Sequence, residues 1–268
     1  MLKLMYITNK VEIAQTAQEY GVDWIFVDLE TLGKAERQGN IDSVKSHHTT
    51  QDVAKLRPFL NKAKLLVRVN PINPDSSQEI NTVIMNGADI VMLPMYKTNA
   101  EVKQFIKMVD GKAKTMLLLE TKEAHEILDE TLKINGIDYI HIGLNDLHLS
   151  YNKKFMFELL VNGIVDDICG KIKKTPIPYG IGGIAGLGKG MIPAEKIICE
   201  HYRLGSSMAI LSRSFCNTDK EKDLSTIKKV FEVGMRDIRK FEISLENYST
   251  DDFIRNHQEL GDLIKNIL

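Results

Sequence analysis

The sequence lacks most of the features that would assign a function directly. Its 268 residues hold only three cysteines, Cys169, Cys199 and Cys216, with no CxxC spacing. An odd, scattered set excludes a disulfide scaffold or a cysteine-based zinc module and points to reduced thiols in a cytoplasmic protein. There is no excess of either charge: 35 Lys and Arg face 36 Asp and Glu, for a net charge of −1. Nothing in that balance calls for nucleic acid or a membrane surface as partner. No apolar run is long enough to cross a bilayer or to serve as a signal peptide, so the Asn247-Tyr248-Ser249 sequon is expected to be idle. A glycine loop after the first apolar run is also missing. The chain there reads ITNK (7–10), which argues against a dinucleotide-binding Rossmann fold.

What is present is alternation. Short apolar runs occur at 2–8, 23–30, 64–70, 89–95, 114–121, 138–144, 176–183 and 205–212. Continuous rather than alternating apolarity marks strands buried on both faces. Between them lie helix-period stretches such as KVEIAQTAQEYG, NAEVKQFIKMVDG and KEAHEILDETLKING. Thr98 is a plausible N-cap, and Gly21, Gly87, Gly111 and Gly136 stand where helices end. Eight β/α units in a chain near the usual barrel size of about 250 residues predict a (β/α)8 TIM barrel over residues 1–215. Residues 216–268 are expected to form extra C-terminal helices. Their stripes are Leu224, Ile227, Phe231, Met235, Ile238 and Phe241, then Phe253, His257, Leu260, Ile264 and Leu268. These helices either cap their own barrel or pack on a neighbouring subunit of a homo-oligomer.

In such a barrel the chemistry sits at the C-terminal ends of the strands. Strand two ends on Asp28 and Glu30, strand three carries Arg68, strand five ends on Glu120, and strand six runs into Asn145 and Asp146. Singly, each acid reads as a helix cap or loop residue, and Arg68 as an internal ion-pair partner. Together they suit an oxygen-ligated divalent metal with an arginine beside it for a carboxylate or oxyanion.

The stretches WIFVDLE, LLVRVN, GADIVMLPM, LLLETKEAHEILDE and GIDYIHIGLNDL resemble, in order and spacing, the HpcH/HpaI aldolase/citrate lyase family over roughly residues 20–215. The resemblance implies a metal-dependent barrel of the phosphoenolpyruvate/pyruvate superfamily. It would place Glu120 and Asp146 as ligands of Mg2+ or Mn2+, Arg68 as the enolate-binding arginine, and Asp28, with Glu30 beside it, near the metal's waters. Gly143 and the backbone N–H groups of Asn145 and Asp146 would meet a substrate carboxylate. The implied reaction is carbon–carbon cleavage or formation through the enolate of pyruvate or a related 2-oxo acid.

The chain departs from the family pattern at Thr31, where the aldolase branch has a histidine base, and at Leu118, where it usually has glutamine. His47 and His48, further along the same segment, are candidates to supply the base, with His48 the choice taken forward. Either is equally at home as polar surface. Lys34 and Arg37 are candidates to bind an anionic group of the second substrate. The stretch GIGGIAGLGKG (180–190) resembles the opening of a P-loop but lacks its Ser or Thr, so a weak anion role is the most it suggests. His125 is expected to lie on an outer helix, and His141 to be a satisfied core residue. Two other readings stand: a citrate-lyase-like enzyme cleaving a 3-hydroxyacyl thioester, favoured by the Asp-Leu-Glu of strand two, and a non-catalytic ligand-binding barrel.

Overall fold

A computed structural model of the chain describes residues 1–33 and 48–268. Lys34, Arg37 and His47 lie outside the described residues. Eight parallel strands close into a barrel in sequence order: β1 (Lys3–Ile7), β2 (Trp24–Asp28), β3 (Lys64–Arg68), β4 (Ile90–Leu93), β5 (Lys114–Leu119), β6 (Tyr139–Ile142), β7 (Tyr179–Ile184) and β8 (Met208–Leu211). β8 returns to β1 with Met5 opposite Ile210.

The strands have no solvent face, which is why their sequences do not alternate in polarity. Two kinds of apolar residue nevertheless alternate. Met5, Trp24, Phe26, Leu66, Met92, Met116 and Met208 are among those that fill the barrel interior, while neighbours such as Ile25, Val27, Leu65, Val67 and Leu117 join the larger core under the helices. Four of the eleven methionines thus sit inside the barrel, where an unbranched, adaptable side chain fills an irregular space.

The surrounding helices include α1 (Val11–Glu19), α2 (Thr50–Leu56), α3 (Ser76–Met85), α4 (Asn99–Val109), α5 (Lys122–Glu126), α6 (Leu128–Thr131), α7 (Leu144–Ser150), α8 (Glu158–Val161), α9 (Ile164–Ile172) and α10 (Ala194–Arg203). Thr98 closes a capping box with Glu101 at the start of α4. Gly21, Gly87, Gly111 and Gly136 all take positive φ, the conformation that glycine adopts without steric cost. The stretch 122–136, expected as one helix, breaks at Ile127 into α5 and α6.

The tail forms α11 (Leu224–Ser244) and α12 (Thr250–Ile267), and both pack within this chain. α11 lies against α1 and buries Ile227, Phe231, Met235 and Ile238. It also clamps the start of β1: Glu242 Oε1 accepts from the Leu2 N–H at 2.6 Å, and Arg239 donates to the Leu2 carbonyl at 2.7 Å. α12 lies on α10 and α8, and its buried stripe is Asn256, Leu260 and Ile264. The expected stripe through Phe253 and Leu268 is therefore narrower, and Leu268 is exposed. Asn256 is drawn inward because its amide donates to the Lys196 carbonyl and to buried Glu200, at 3.1 and 3.2 Å. Among the described residues no helix is long and apolar enough to cross a membrane.

Losing the Thr98 cap leaves the Glu101 N–H in the first turn of α4 without its side-chain partner. Thr98→Ala is expected to cost about 1 kcal/mol, readable as a lower midpoint in urea unfolding with an unchanged slope.

Candidate active site

The site begins at the last rung of the β2–β3 ladder, where Asp28 and Arg68 are register partners. The guanidinium binds Asp28 with both forks, Nε to Oδ1 at 2.8 Å and Nη2 to Oδ2 at 2.9 Å. Its Nη1 stands 3.2 Å from Glu30 Oε2. Only 14% of the Arg68 side chain is exposed, against 4% for Asp28 and 1% for Glu30. Burial opposes the guanidinium charge, but Asp28 and then Glu30 outweigh it and raise the arginine's pKa further. Removing Arg68 from such a buried cluster costs about 3–5 kcal/mol, because it strands the facing carboxylates.

Arg68, Asp28, Glu120, Asp146, Asn145 and Gly143 all line one cavity of about 290 Å³ at the C-terminal end of the barrel. Glu120 follows β5 and is 2% exposed. Burial pushes its carboxyl well above the usual carboxylate range, Arg68 opposes that, and Asp146 and Glu30 push it further up. Its Oε1 accepts from the Met95 N–H at 3.1 Å. Met95 sits at φ 55°, a left-handed conformation that is uncommon outside glycine and tends to collect at functional sites. Asp146 is in the first turn of α7 and is 8% exposed. Gly143 is required by this arrangement: a Cβ there would stand 2.9 Å from Glu120 Oε2.

Two carboxylates, one following β5 and one in the first turn of α7, therefore line one cavity. Among the described residues no group of three or more His, Cys, Asp or Glu could hold a metal alone. A two-carboxylate set fits Mg2+, which keeps waters or substrate oxygens in its remaining positions, better than a zinc-type cage.

Not every expected residue is in the cavity wall. Glu30 stands behind Arg68 and does not line the cavity, because its carboxylate is turned onto the guanidinium. Arg37 is outside the described residues. His48 does return to the end of β2: its Nδ1 accepts from the Asp28 N–H at 3.1 Å. Thr31 instead leans on Asn70, whose Oδ1 accepts from the N–H groups of Thr31 and Leu32 at 2.9 and 3.0 Å. The glycine stretch divides into β7 and a loop whose Gly188 N–H is already taken by Glu195 at 2.9 Å.

Sequence reasoning undervalued His141. It lines the cavity rather than lying satisfied in the core. Its Nε2 contacts the Gly182 carbonyl at 3.1 Å, and its buried Nδ1 has no partner among the described residues. A period-two count from Tyr139, which packs on the interior cluster, would have aimed it inward. Tyr96 was missed as well: it is 1% exposed, and burial followed by Glu120 raises its phenol's pKa.

The sequence matches the HpcH/HpaI aldolase/citrate lyase model over residues 3–155. The chain belongs to the HpcH/HpaI aldolase/citrate lyase family. Among solved structures it is similar to an HpcH/HpaI aldolase from Desulfitobacterium hafniense DCB-2, with TM-score 0.61, 15% identity, and coverage of 85% of this chain and 93% of that one. An HpcH/HpaI aldolase/citrate lyase family protein from Burkholderia cenocepacia J2315 gives TM-score 0.64 at 13% identity, covering 85% and 94%. The citrate synthase SbnG gives 0.63 at 15%, covering 84% and 92%. At these identities the likeness establishes the barrel alone. No curated protein matches the sequence.

Within this HpcH/HpaI barrel, burial lowers the pKa of His141 to about 4 and that of His201, on α10, to about 3. Both bind a proton more readily when unfolded, near pH 6.5. Their stabilising contribution is complete above about pH 6.5 and lost as pH falls toward those folded values. The thermal midpoint should drop between pH 6.5 and 4, and His141→Gln should flatten that drop in calorimetric scans.

Proposed function

We propose that this protein is a divalent-metal-dependent carbon–carbon lyase acting through the enolate of pyruvate or a related 2-oxo acid. The observation that carries this reading is the convergence of Arg68, Glu120 and Asp146 on one cavity of about 290 Å³. The family is in general divalent-metal dependent. Glu120 and Asp146 are the residues that would hold Mg2+ or Mn2+, and both line the cavity. When bound, such an ion polarises a carbonyl and eases enolate formation.

The protein's own side chains do the rest. Arg68 has five N–H groups; three meet Asp28 and Glu30, and the others face a substrate oxygen that gains negative charge. Asp28 and Glu30 fix the plane of that guanidinium, so no reorganisation is needed as charge develops. Asn145 and Gly143, at the start of α7, border the same space for the substrate carboxylate. In the condensing direction the enolate carbon bonds to the acceptor's carbonyl carbon. The carbonyl electron pair moves to oxygen, which takes a proton; cleavage is the reverse. His48 Nδ1 accepts from a backbone N–H, so its neutral ring carries the proton on Nε2. Held in this way, His48 Nδ1 is not the lone pair of a base.

The order Asp28-Leu29-Glu30 favours a second reading, cleavage of a 3-hydroxyacyl thioester, which turnover of coenzyme A esters in place of 2-oxo acids would establish.

Three measurements test the first reading. Wild type should exchange the methyl protons of pyruvate in D2O with added Mn2+; absence of exchange above background would favour a binding barrel. Arg68→Lys should slow exchange by about 10²–10³-fold, the usual loss for one oxyanion donor. Burial raises the Glu120 carboxyl's affinity for a proton, which competes with a metal for the same oxygens, so Mn2+ affinity should rise with pH, by at most about tenfold per unit. Glu120→Gln should abolish both the affinity and its pH dependence, and unchanged Mn2+ titrations would sink the ligand assignment.

A further inference from the structure

The ladder between β7 and β8 carries an extra residue. Gly180 stands opposite Met208 and Gly183 opposite Ile210, so β7 runs one residue ahead of its partner between them. Gly182, inside that bulge, takes φ 41°. Bulges collect next to active sites, where they re-aim the groups of a strand. Gly182 and Gly183 both line the cavity that holds Arg68, Glu120 and Asp146.

The bulge meets His141. This histidine has Leu118 of β5 and Gly180 of β7 as its register partners, and it lines the cavity beside the apolar Phe26, Met92 and Leu118. Its Nε2 stands 3.1 Å from the Gly182 carbonyl. A carbonyl only accepts, so Nε2 carries the proton and Nδ1 the lone pair. Burial lowers the ring's pKa to about 4, which keeps it neutral at neutral pH. Two glycines of β7 supply the space around it. A Cβ on Gly180 would stand 2.4 Å from His141 Nδ1, and one on Gly182 would stand 2.9 Å from Leu144 Cδ1. Leu144 opens α7, and the next two residues are Asn145 and Asp146. The imidazole is therefore hydrogen-bonded to the same bulge residue on which Leu144 is seated.

We propose that His141 is a positioning residue for the metal and carboxylate site: by holding the Gly182 bulge it seats Leu144 and so fixes the first turn of α7, which carries Asn145 and Asp146. The inference rests on the enolate reading above, and His141 acts in it only through the backbone of Gly182. A carbonyl tied by a buried donor keeps its place as the site fills, and a ligand carboxylate held in place binds its ion more tightly than one that shifts. Groups that orient a metal ligand from behind typically contribute about 10–100-fold in affinity or activity.

The test uses two substitutions that differ in reach. In His141→Gln the side-chain amide nitrogen can take the place of Nε2 and donate to Gly182, whereas in His141→Asn it stops at the place of Nδ1. In calorimetric titrations His141→Asn should bind Mn2+ about tenfold or more weakly than wild type, and His141→Gln within about threefold of it. Pyruvate exchange should follow the same order. Hydrogen exchange read by mass spectrometry needs neither metal nor substrate. Amides in the first turn of α7, such as that of Leu147, which donates to the Gly143 carbonyl at 3.1 Å, should exchange faster in His141→Asn than in wild type or His141→Gln. Those of α4 should keep their protection in all three. Equal behaviour of the two variants, or a loss of protection that spreads equally to α4, overturns the proposal. If wild type itself binds no Mn2+, the metal reading fails, and the exchange comparison alone decides whether His141 positions α7.

Discussion

A buried guanidinium gripped by two carboxylates sets the geometry of this barrel's upper end. Arg68 is held bidentately by Asp28, its register partner on the next strand, and from another side by Glu30. Each carboxylate of the cluster is paired with the guanidinium, which makes the charges tolerable in a desolvated place. It also transmits electrostatically to the facing strands, since Arg68 favours the ionised form of Glu120 while Glu30 and Asp146 resist it. Ends of four strands are thus coupled through one cation. A site built this way is rigid before any ligand arrives, the condition under which fixed dipoles and charges stabilise developing charge most effectively.

The remaining parts of the site follow from that anchor. Gly143 lets the Glu120 carboxylate pack against the backbone, where any Cβ would stand 2.9 Å from its Oε2. Met95 adopts a left-handed backbone and turns its N–H to the same carboxylate. Asn70, itself fixed by Glu79, ties down the turn after β2. His48 comes back to the Asp28 amide from the far side of that segment. The result is a compact, apolar-floored cavity adjoining a wider one over the ends of β1 and β8. Below it, methionines fill the barrel, and at its base α11 is hydrogen-bonded to the first strand through Glu242 and Arg239.

Much of this architecture was legible in the chain. Eight apolar runs separated by helical periods imply a closed parallel sheet because every strand is buried on both faces and each needs a crossover. Acids and an arginine just past those runs mark the strand ends that a barrel brings together, and Asp28, Arg68, Glu120 and Asp146 do share a cavity. Glu30 shows the limit of that reasoning. Its two-residue offset from Asp28 suggested a second wall residue, but the strand ends at Asp28 and the carboxylate turns behind Arg68. His141 shows the opposite error, since a histidine amid apolar neighbours reads as core until the register aims it into the cavity.

Sequence alone determined the class of fold, the order of its elements and the set of polar residues at the strand ends, because burial and periodicity are local properties of the chain. Tertiary structure decided which of those residues meet. It brought His48 back to Asp28 over a separation of twenty residues, paired Asp28 with Arg68 over forty, and placed Lys10 and Arg213 on one chamber from the first and last strands of the barrel. Closure of β8 onto β1 makes those ends neighbours, and no pattern within either segment contains that fact.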